Sequence, residues 1–495
     1  MSDLLTNPLC KPEHLGRSIP DSPHAVSACL PTWQDCIGYE EQEPRVVSKL
    51  TAGYPRFVYN SLCRDLFDRC AERFANAGQT CLAFASQQAA ERCSDYLHDF
   101  AETDAVSVHP LNQHGVYAVA FPSEHAKAAK NFWQHSGLGV TSRQAAACLS
   151  SGTIPDGDAA RQTIRSRVAD VVGVDPENVL LYSCGMSAID ALHQVLCKMF
   201  PQRKSVQFGF PYVDTLKIQQ QFGTGAIFHP KGEATNLDAL EEQLADERVS
   251  AIFTEFPSNP LLASPDLVRL REIADRHEVP LVVDDTVASC ANVDLSEVAD
   301  VVCMSLTKYF SGVGDVAGGA LVISPGSGFR TQLFEGLREQ EGGLWCEDAI
   351  VLERNSADFT TRVQRINKTA ARVVDALGKH ALVEEVYYPT RRSKELYDRF
   401  KRPEGGYGGL FSLLLKNAAT TTSRFFDALR VCKGPNLGTN YTLACPYTIL
   451  AHYEELDFVE SCGVSRHLIR VSVGLEPADE LIARFEAALA CLAVR

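Results

Sequence analysis

The chain has 495 residues, 45% of them hydrophobic and 22% charged, and a net charge of −15. That length exceeds one compact core and predicts two or three domains, while the acidic balance argues against nucleic acid or an anionic membrane as partner. No apolar run approaches 18 residues, which predicts no membrane span. The opening "MSDLLTNPLCKPEHLG" has neither the basic nor the apolar region of a secretion signal. Seventeen cysteines at irregular spacings, with no CxxC pair, then read as reduced, mostly buried thiols of a cytoplasmic protein.

Residues 1–135 are irregular in pattern and rich in Cys, Pro and Gln; they read as an N-terminal extension and arm. From 136 to 370 short apolar runs alternate with amphipathic stretches. "NVLLYS" precedes "GMSAIDALHQVLCKMF", "SVQFGF" precedes "YVDTLKIQQQF", and "VSAIFTEF" precedes "SPDLVRLREIADRH". "VPLVVDD" and "ADVVCMSLT" follow. This is the pattern of a parallel sheet covered by helices on both faces, so the α/β class is predicted for a large domain. Residues 371–495 change character: "GGYGGLFSLLLKN" reads as a loop entering an edge strand, "LIRVSVGLE" as another strand and "PADELIARFEAALACLAV" as a terminal helix. They predict a smaller α+β domain.

In parallel α/β sheets ligands sit at the C-terminal strand ends. Three ends carry chemistry. "SCGMSAID" puts Gly185 where a strand becomes a helix, and free N–H groups there suit a phosphate; an ordinary helix cap by Ser183 is the plainer alternative. "VVDDTV" places Asp284 and Asp285 after a wholly apolar run, where one acid could pair with a cation or a protonated ring nitrogen, or ligate a metal or cap a helix. "MSLTKYFSGVGDVAGGALV" sets Lys308 beside Ser305 and Thr307 at a buried strand end. A desolvated lysine loses part of its proton affinity and becomes a nucleophilic amine. An anion cradle, an acid for a ring nitrogen and such a lysine together suit pyridoxal 5′-phosphate. Tyr212, at another strand end, could stack on its ring, or be a half-buried core tyrosine. "GVGDVA" formally fits a dinucleotide fingerprint but lacks the preceding strand and following helix, and there is no phosphate-binding G-x-x-x-x-G-K-[ST]. No metal site is expected.

"SCGMSAI", "FPSNPLL", "VVDDT", "SLTKYFSG" and "LIRVSVGLE" resemble, in order, the signatures of the γ-family of Cys/Met-metabolism pyridoxal-phosphate enzymes. "LGRSIPDSPHAVSACLPTWQDCIGYEE", "GYPRF", "CEDAIVLERNSADF" and "LGTNYTLACPYTILAHY" resemble its fungal cystathionine γ-synthase branch. The resemblance implies an aspartate-aminotransferase-like (fold type I) architecture, mainly parallel, with the cofactor in the 136–370 domain. It implies that Lys308 is the imine lysine and Asp284 the partner of the ring nitrogen. Gly185, Met186, Ser305 and Thr307 would form the phosphate cradle, Tyr212 the stacking ring, and Asn259 the neighbour of the ring hydroxyl. Arg470 would clamp the amino-acid carboxylate, with Thr442 also on the substrate side. Tyr212 would join Lys308 in catalysis.

The resemblance further implies γ-replacement on an O-acyl-L-homoserine through a vinylglycine-type electrophile. Cysteine as nucleophile would yield cystathionine, and a carbon or amine nucleophile would mark a specialised biosynthetic paralogue. A γ- or β-lyase acting on cystathionine or methionine shares every cofactor residue. The partners implied are these small molecules and further copies of the chain, in a homodimer or homotetramer with shared active sites. Two segments compete for the family's Tyr-x-Arg, which reaches a neighbour's phosphate. "VTSR" keeps Arg143 but has Thr141 for the tyrosine, whereas "GYPRF" keeps Tyr54 and Arg56; distance from the cradle favours Arg143. A small Ala317, where the branch would carry a bulkier residue, implies a reshaped acceptor pocket.

Overall fold

The computed structural model describes residues 3–55, 57–101, 105–111, 114–150, 153–340 and 343–492. Their strands form three sheets. The first lies within the segment that reads as an irregular extension. Strands β1 (Gln79–Phe84), β2 (Ser107–Pro110) and β3 (Tyr117–Pro122) pair antiparallel in the order β1-β3-β2. Helices α1 (Ser61–Phe74), α2 (Gln87–Ala101) and α3 (Ala126–Ser136) pack on it. Leu66, Cys93, Phe121 and Phe132 give this unit a core of its own. Its cysteines and alanines do the work usually done by larger apolar residues, so the periodicity is weak.

The second sheet is the large one. It contains β4 (Val179–Tyr182), β5 (Ser205–Phe208), β6 (Ala226–His229), β7 (Ile252–Glu255), β8 (Leu281–Asp284), β9 (Val301–Ser305) and β10 (Gly319–Ile323). Their order is β4-β10-β9-β8-β7-β5-β6. β10 runs antiparallel to both neighbours, and the pairs from β9 through β6 are parallel. "VLLY", "SVQF" and "IFTE" are buried at every position, as strands covered on both faces must be.

The third sheet, β11 (Val383–Tyr387), β12 (Leu410–Leu415), β13 (Cys432–Lys433), β14 (Leu443–Pro446) and β15 (Ile469–Ser472), has the order β11-β12-β15-β14-β13. β12, which reads as an edge strand, is interior. The edge belongs to β11, whose "VEEVY" exposes Glu384 to water. A domain boundary at 370 falls inside one continuous helix, Phe359–Leu377.

Residues 4–31 run as a strap across this third sheet. Leu30 N–H donates to the Lys433 carbonyl at 3.0 Å and Lys433 N–H to the Leu9 carbonyl at 3.2 Å. Leu4, Leu9, Ile19 and Cys29 share one apolar cluster with Cys432, Tyr441 and Leu443. The fully buried Lys433 ammonium donates to the carbonyls of Pro31, at 2.8 Å, and Asp427, at 2.9 Å. Burying an ammonium is tolerable only with such partners. The chain beyond the strap then carries Tyr54 to the strand ends of the large sheet.

Candidate active site

A cleft of about 920 Å³, part of it open to solvent, lies where the C-terminal ends of β4, β7, β8 and β9 meet residues of the third sheet. Gly185, Met186, Tyr212, Asn259, Asp284, Ser305, Lys308 and Arg470 all line it. Gly185 opens helix α4 (Gly185–Met199), and its first two residues, Gly185 and Met186, line the cavity. A Cβ at Gly185 would come within 2.9 Å of the Ser305 Cβ, so only glycine lets the two segments approach.

Lys308 is 7% exposed. Its Nζ donates to the Tyr54 hydroxyl at 3.0 Å and to Asn436 Oδ1 at 2.5 Å, and lies 4.3 Å from the centre of the Tyr54 ring. Asp284 ends β8, with Oδ1 accepting from Thr286 N–H at 2.9 Å. Burial raises its pKa, while Thr286 and Lys308 pull the other way. Asp285, the alternative acid, is buried off the cavity, and burial pushes it well above the usual carboxylate range.

On the opposite wall Arg470, from the central strand β15, donates through Nη1 to Asn259 Oδ1 and through Nη2 to the Asn436 carbonyl, both at 3.2 Å. Its guanidinium also sits 4.8 Å from the centre of the Tyr447 ring. Glu255, the last residue of β7, accepts from Tyr212 N–H at 2.5 Å and from Asn259 N–H at 2.9 Å.

Four expectations change. Thr307 faces away from the cradle: its hydroxyl exchanges hydrogen bonds with the N–H and carbonyl of Gly318, at 3.1 and 3.3 Å, and so ties the loop after the lysine to β10. Thr442 is fully buried and off the cavity, with N–H and Oγ1 each 2.8 Å from the Glu476 carboxylate. Arg143 is held within its own chain by Asp348 and the Asp315 carbonyl, both at 2.9 Å. It lines a neighbouring cavity of about 640 Å³, and Ala317 lies on the wall of that second cavity too. Tyr54, from the competing "GYPRF", is the tyrosine that meets Lys308; Arg56 lies outside the described residues. Glu255 and Asn436 escape sequence reasoning. Glu255 does stand at a strand end in register with Asp284. Asn436 has no comparable signal and is found only in the structure, by its bonds to Lys308 and Arg470.

Residues 156–490 match the family described as Cys/Met metabolism PLP-dependent enzyme, and residues 62–141 match the fungal trans-sulfuration enzyme N-terminal domain. The chain belongs to the Cys/Met-metabolism family of pyridoxal-phosphate-dependent enzymes. It is 35% identical to a cystathionine gamma-synthase of Neurospora crassa, covering 97% of this chain and 98% of that one. It is 33% identical to an alanine racemase, ungC, of Aspergillus violaceofuscus, covering 96% of each. The crystal structure of cystathionine gamma synthase from Xanthomonas oryzae pv. oryzae, in complex with aminoacrylate and cysteine, superposes with a TM-score of 0.60. It covers 68% of this chain and 87% of that one at 24% identity, which establishes the fold.

The cavity fits the family's cofactor. The Gly185 helix start and Ser305 suit its phosphate, Asp284 its ring nitrogen and Lys308 its aldehyde, and the buried Asn436 Nδ2 has no hydrogen-bond partner among the described residues. No helix among the described residues is long and apolar enough to cross a membrane.

Proposed function

We propose that the enzyme performs γ-replacement on an O-acyl-L-homoserine, as a transferase of the cystathionine γ-synthase type. The acyl group leaves Cγ as a carboxylate, and a nucleophile takes its place: cysteine to give cystathionine, or a carbon or amine nucleophile. The observation that carries the reading is the placement of two cations in one cavity with Asn436 between them: Lys308 is held by Tyr54 and Asn436 Oδ1, and Arg470 by Asn259 and the Asn436 carbonyl. Arg470 can grip the substrate carboxylate bidentately. That leaves the Lys308 amine to move protons at Cα and Cβ, with the Tyr54 hydroxyl as its hydrogen-bonded partner. Bound pyridoxal phosphate supplies the electron sink.

Relatives of nearly equal identity carry different reaction names, so the assay must choose among them. O-acetylhomoserine with cysteine is expected to yield cystathionine, identified by mass spectrometry, with little 2-oxobutanoate released when cysteine is omitted. Rapid 2-oxobutanoate release without any nucleophile would make the enzyme a lyase instead. We place it in the cytoplasm as a homodimer or homotetramer; sedimentation of the active enzyme at the 54.2 kDa of one chain would overturn the assembly. Arg143, bonded to Asp348 within its own chain, remains with Arg56 a candidate for the arginine that reaches a neighbour's phosphate.

A further inference from the structure

We propose that Glu255 is a positioning residue that sets the tilt of the cofactor ring and the aim of the substrate arginine through one two-pronged clamp. This rests on the reading that the cavity takes pyridoxal phosphate. Glu255 is 6% exposed and stands at the end of β7, directly beside Asp284 in the parallel register of β7 and β8. Its two carboxylate oxygens are divided. Oε1 accepts from Tyr212 N–H, which opens the helix Val213–Gln221, and Oε2 accepts from Asn259 N–H four residues further along the chain.

Those two backbone groups carry the side chains that would meet the ring: the Tyr212 aromatic face and the Asn259 amide. Asn259 Oδ1 in turn accepts from Arg470 Nη1 at 3.2 Å. One carboxylate therefore fixes the stacking residue, the ring-hydroxyl neighbour and, through Asn259, the guanidinium. The arrangement is specific to an ionised carboxylate, which accepts only. Glutamine offers one acceptor and one donor, so one of the two N–H groups would face an NH₂.

Ionising Glu255 is costly here. Burial and then Asp284 push it up to about 8, against the pull of the two N–H groups and Arg470. The charged and titratable groups around it are Asp284 on β8, Arg470 on β15, Tyr447 at the start of the helix Tyr447–His452, and, beyond Asp284, Lys308 after β9. A cation paired with Asp284 would remove the repulsion between the two acids, so an occupied cavity favours the clamped, ionised form.

The test uses the purified full-length holoenzyme and its Glu255→Gln and Glu255→Asp variants. Four quantities are read: visible-range circular dichroism of the bound cofactor, the dissociation constant for pyridoxal phosphate added back to cofactor-stripped protein, KM for O-acetylhomoserine, and the thermal midpoint of the stripped protein. Glu255→Gln is expected to lose at least half of the visible dichroism, to bind cofactor about 10-fold more weakly and to raise KM about 10-fold. Its stripped thermal midpoint should stay within two degrees of wild type. Glu255→Asp, which keeps two acceptor oxygens, should recover part of the dichroism. Wild-type dichroism and KM in Glu255→Gln would overturn the proposal, as would losses matched by a falling midpoint and unrelieved in Glu255→Asp. Wild-type protein that never binds pyridoxal phosphate would overturn the cofactor reading together with it.

Discussion

Asn436 has a φ of +126°, a backbone region that costs a residue with a side chain about 1–3 kcal/mol. In that pose its Oδ1 holds the Lys308 amine and its carbonyl holds Arg470, so the cost falls where two cations must be kept a fixed distance apart before substrate arrives. Tyr54 is the other anchor of the amine. Tyr54→Phe keeps the ring and removes the hydroxyl, and kcat is expected to fall by about 100-fold with the cofactor still bound, as steady-state kinetics and absorbance will show. Lys308→Ala should abolish turnover and covalent trapping of pyridoxal phosphate by borohydride. The thermal midpoint should hardly move, because the ammonium contributes hydrogen bonds to the site and little packing. An alanine variant with more than a few per cent of the activity would remove Lys308 from the chemistry.

The helix Ser142–Leu149 is joined to the helix Cys346–Asn355 through Arg143 and Thr141, which both bond the Asp348 carboxylate. Asp348 is 2% exposed, and burial raises its pKa while Arg143 lowers it. Arg143→Ala would leave that charge buried and alone, at a cost of about 3–5 kcal/mol. The abandoned acid then holds its proton more tightly folded than unfolded, so the variant loses stability as pH rises. Denaturant unfolding should show a larger deficit at pH 8 than at pH 5, with cofactor affinity little changed. An equal deficit at both pH values, or cofactor release without destabilisation, would return Arg143 to the cofactor.

Strand ends explain what could be read in advance at this scale. Gly185, Asp284 and Lys308 each follow a wholly apolar run, and polar residues there have few uses other than a ligand. A hydroxyl one step away has a second choice, the backbone, and Thr307 takes it on Gly318. Tyr54 and Asn436 meet Lys308 across 254 and 128 residues of chain, and no local pattern encodes contacts of that range. The small N-terminal sheet was hidden for another reason: its strands rest on cysteine and alanine, leaving no strong period.

At the scale of the whole molecule, the cavity joins residues of the large sheet to residues of the third sheet and to Tyr54, which follows the strap. A ligand bound there touches all of them and only in the folded state. At 100 times its dissociation constant it contributes about 2.7 kcal/mol. Stripping pyridoxal phosphate is therefore expected to lower the thermal midpoint by a few degrees, and returning it to restore the midpoint in a concentration-dependent way. An unchanged midpoint in calorimetry would mean that the cofactor does not bridge these parts.

The strap also sets a timetable. Pro31 meets Lys433 across 402 residues of chain. A ribosome adding about 5–20 residues per second needs roughly 20–80 s to make the intervening chain. Throughout that interval Leu4, Leu9, Ile19 and Cys29 lack the surface they will cover, although the independent core around Phe121 and Phe132 can close once Cys148 has emerged. The strap residues, made long before their partners, are thus among the last to settle. A nascent chain arrested before residue 433 should expose the strap to protease while the segment from Cys63 to Cys148, which has its own core, resists it.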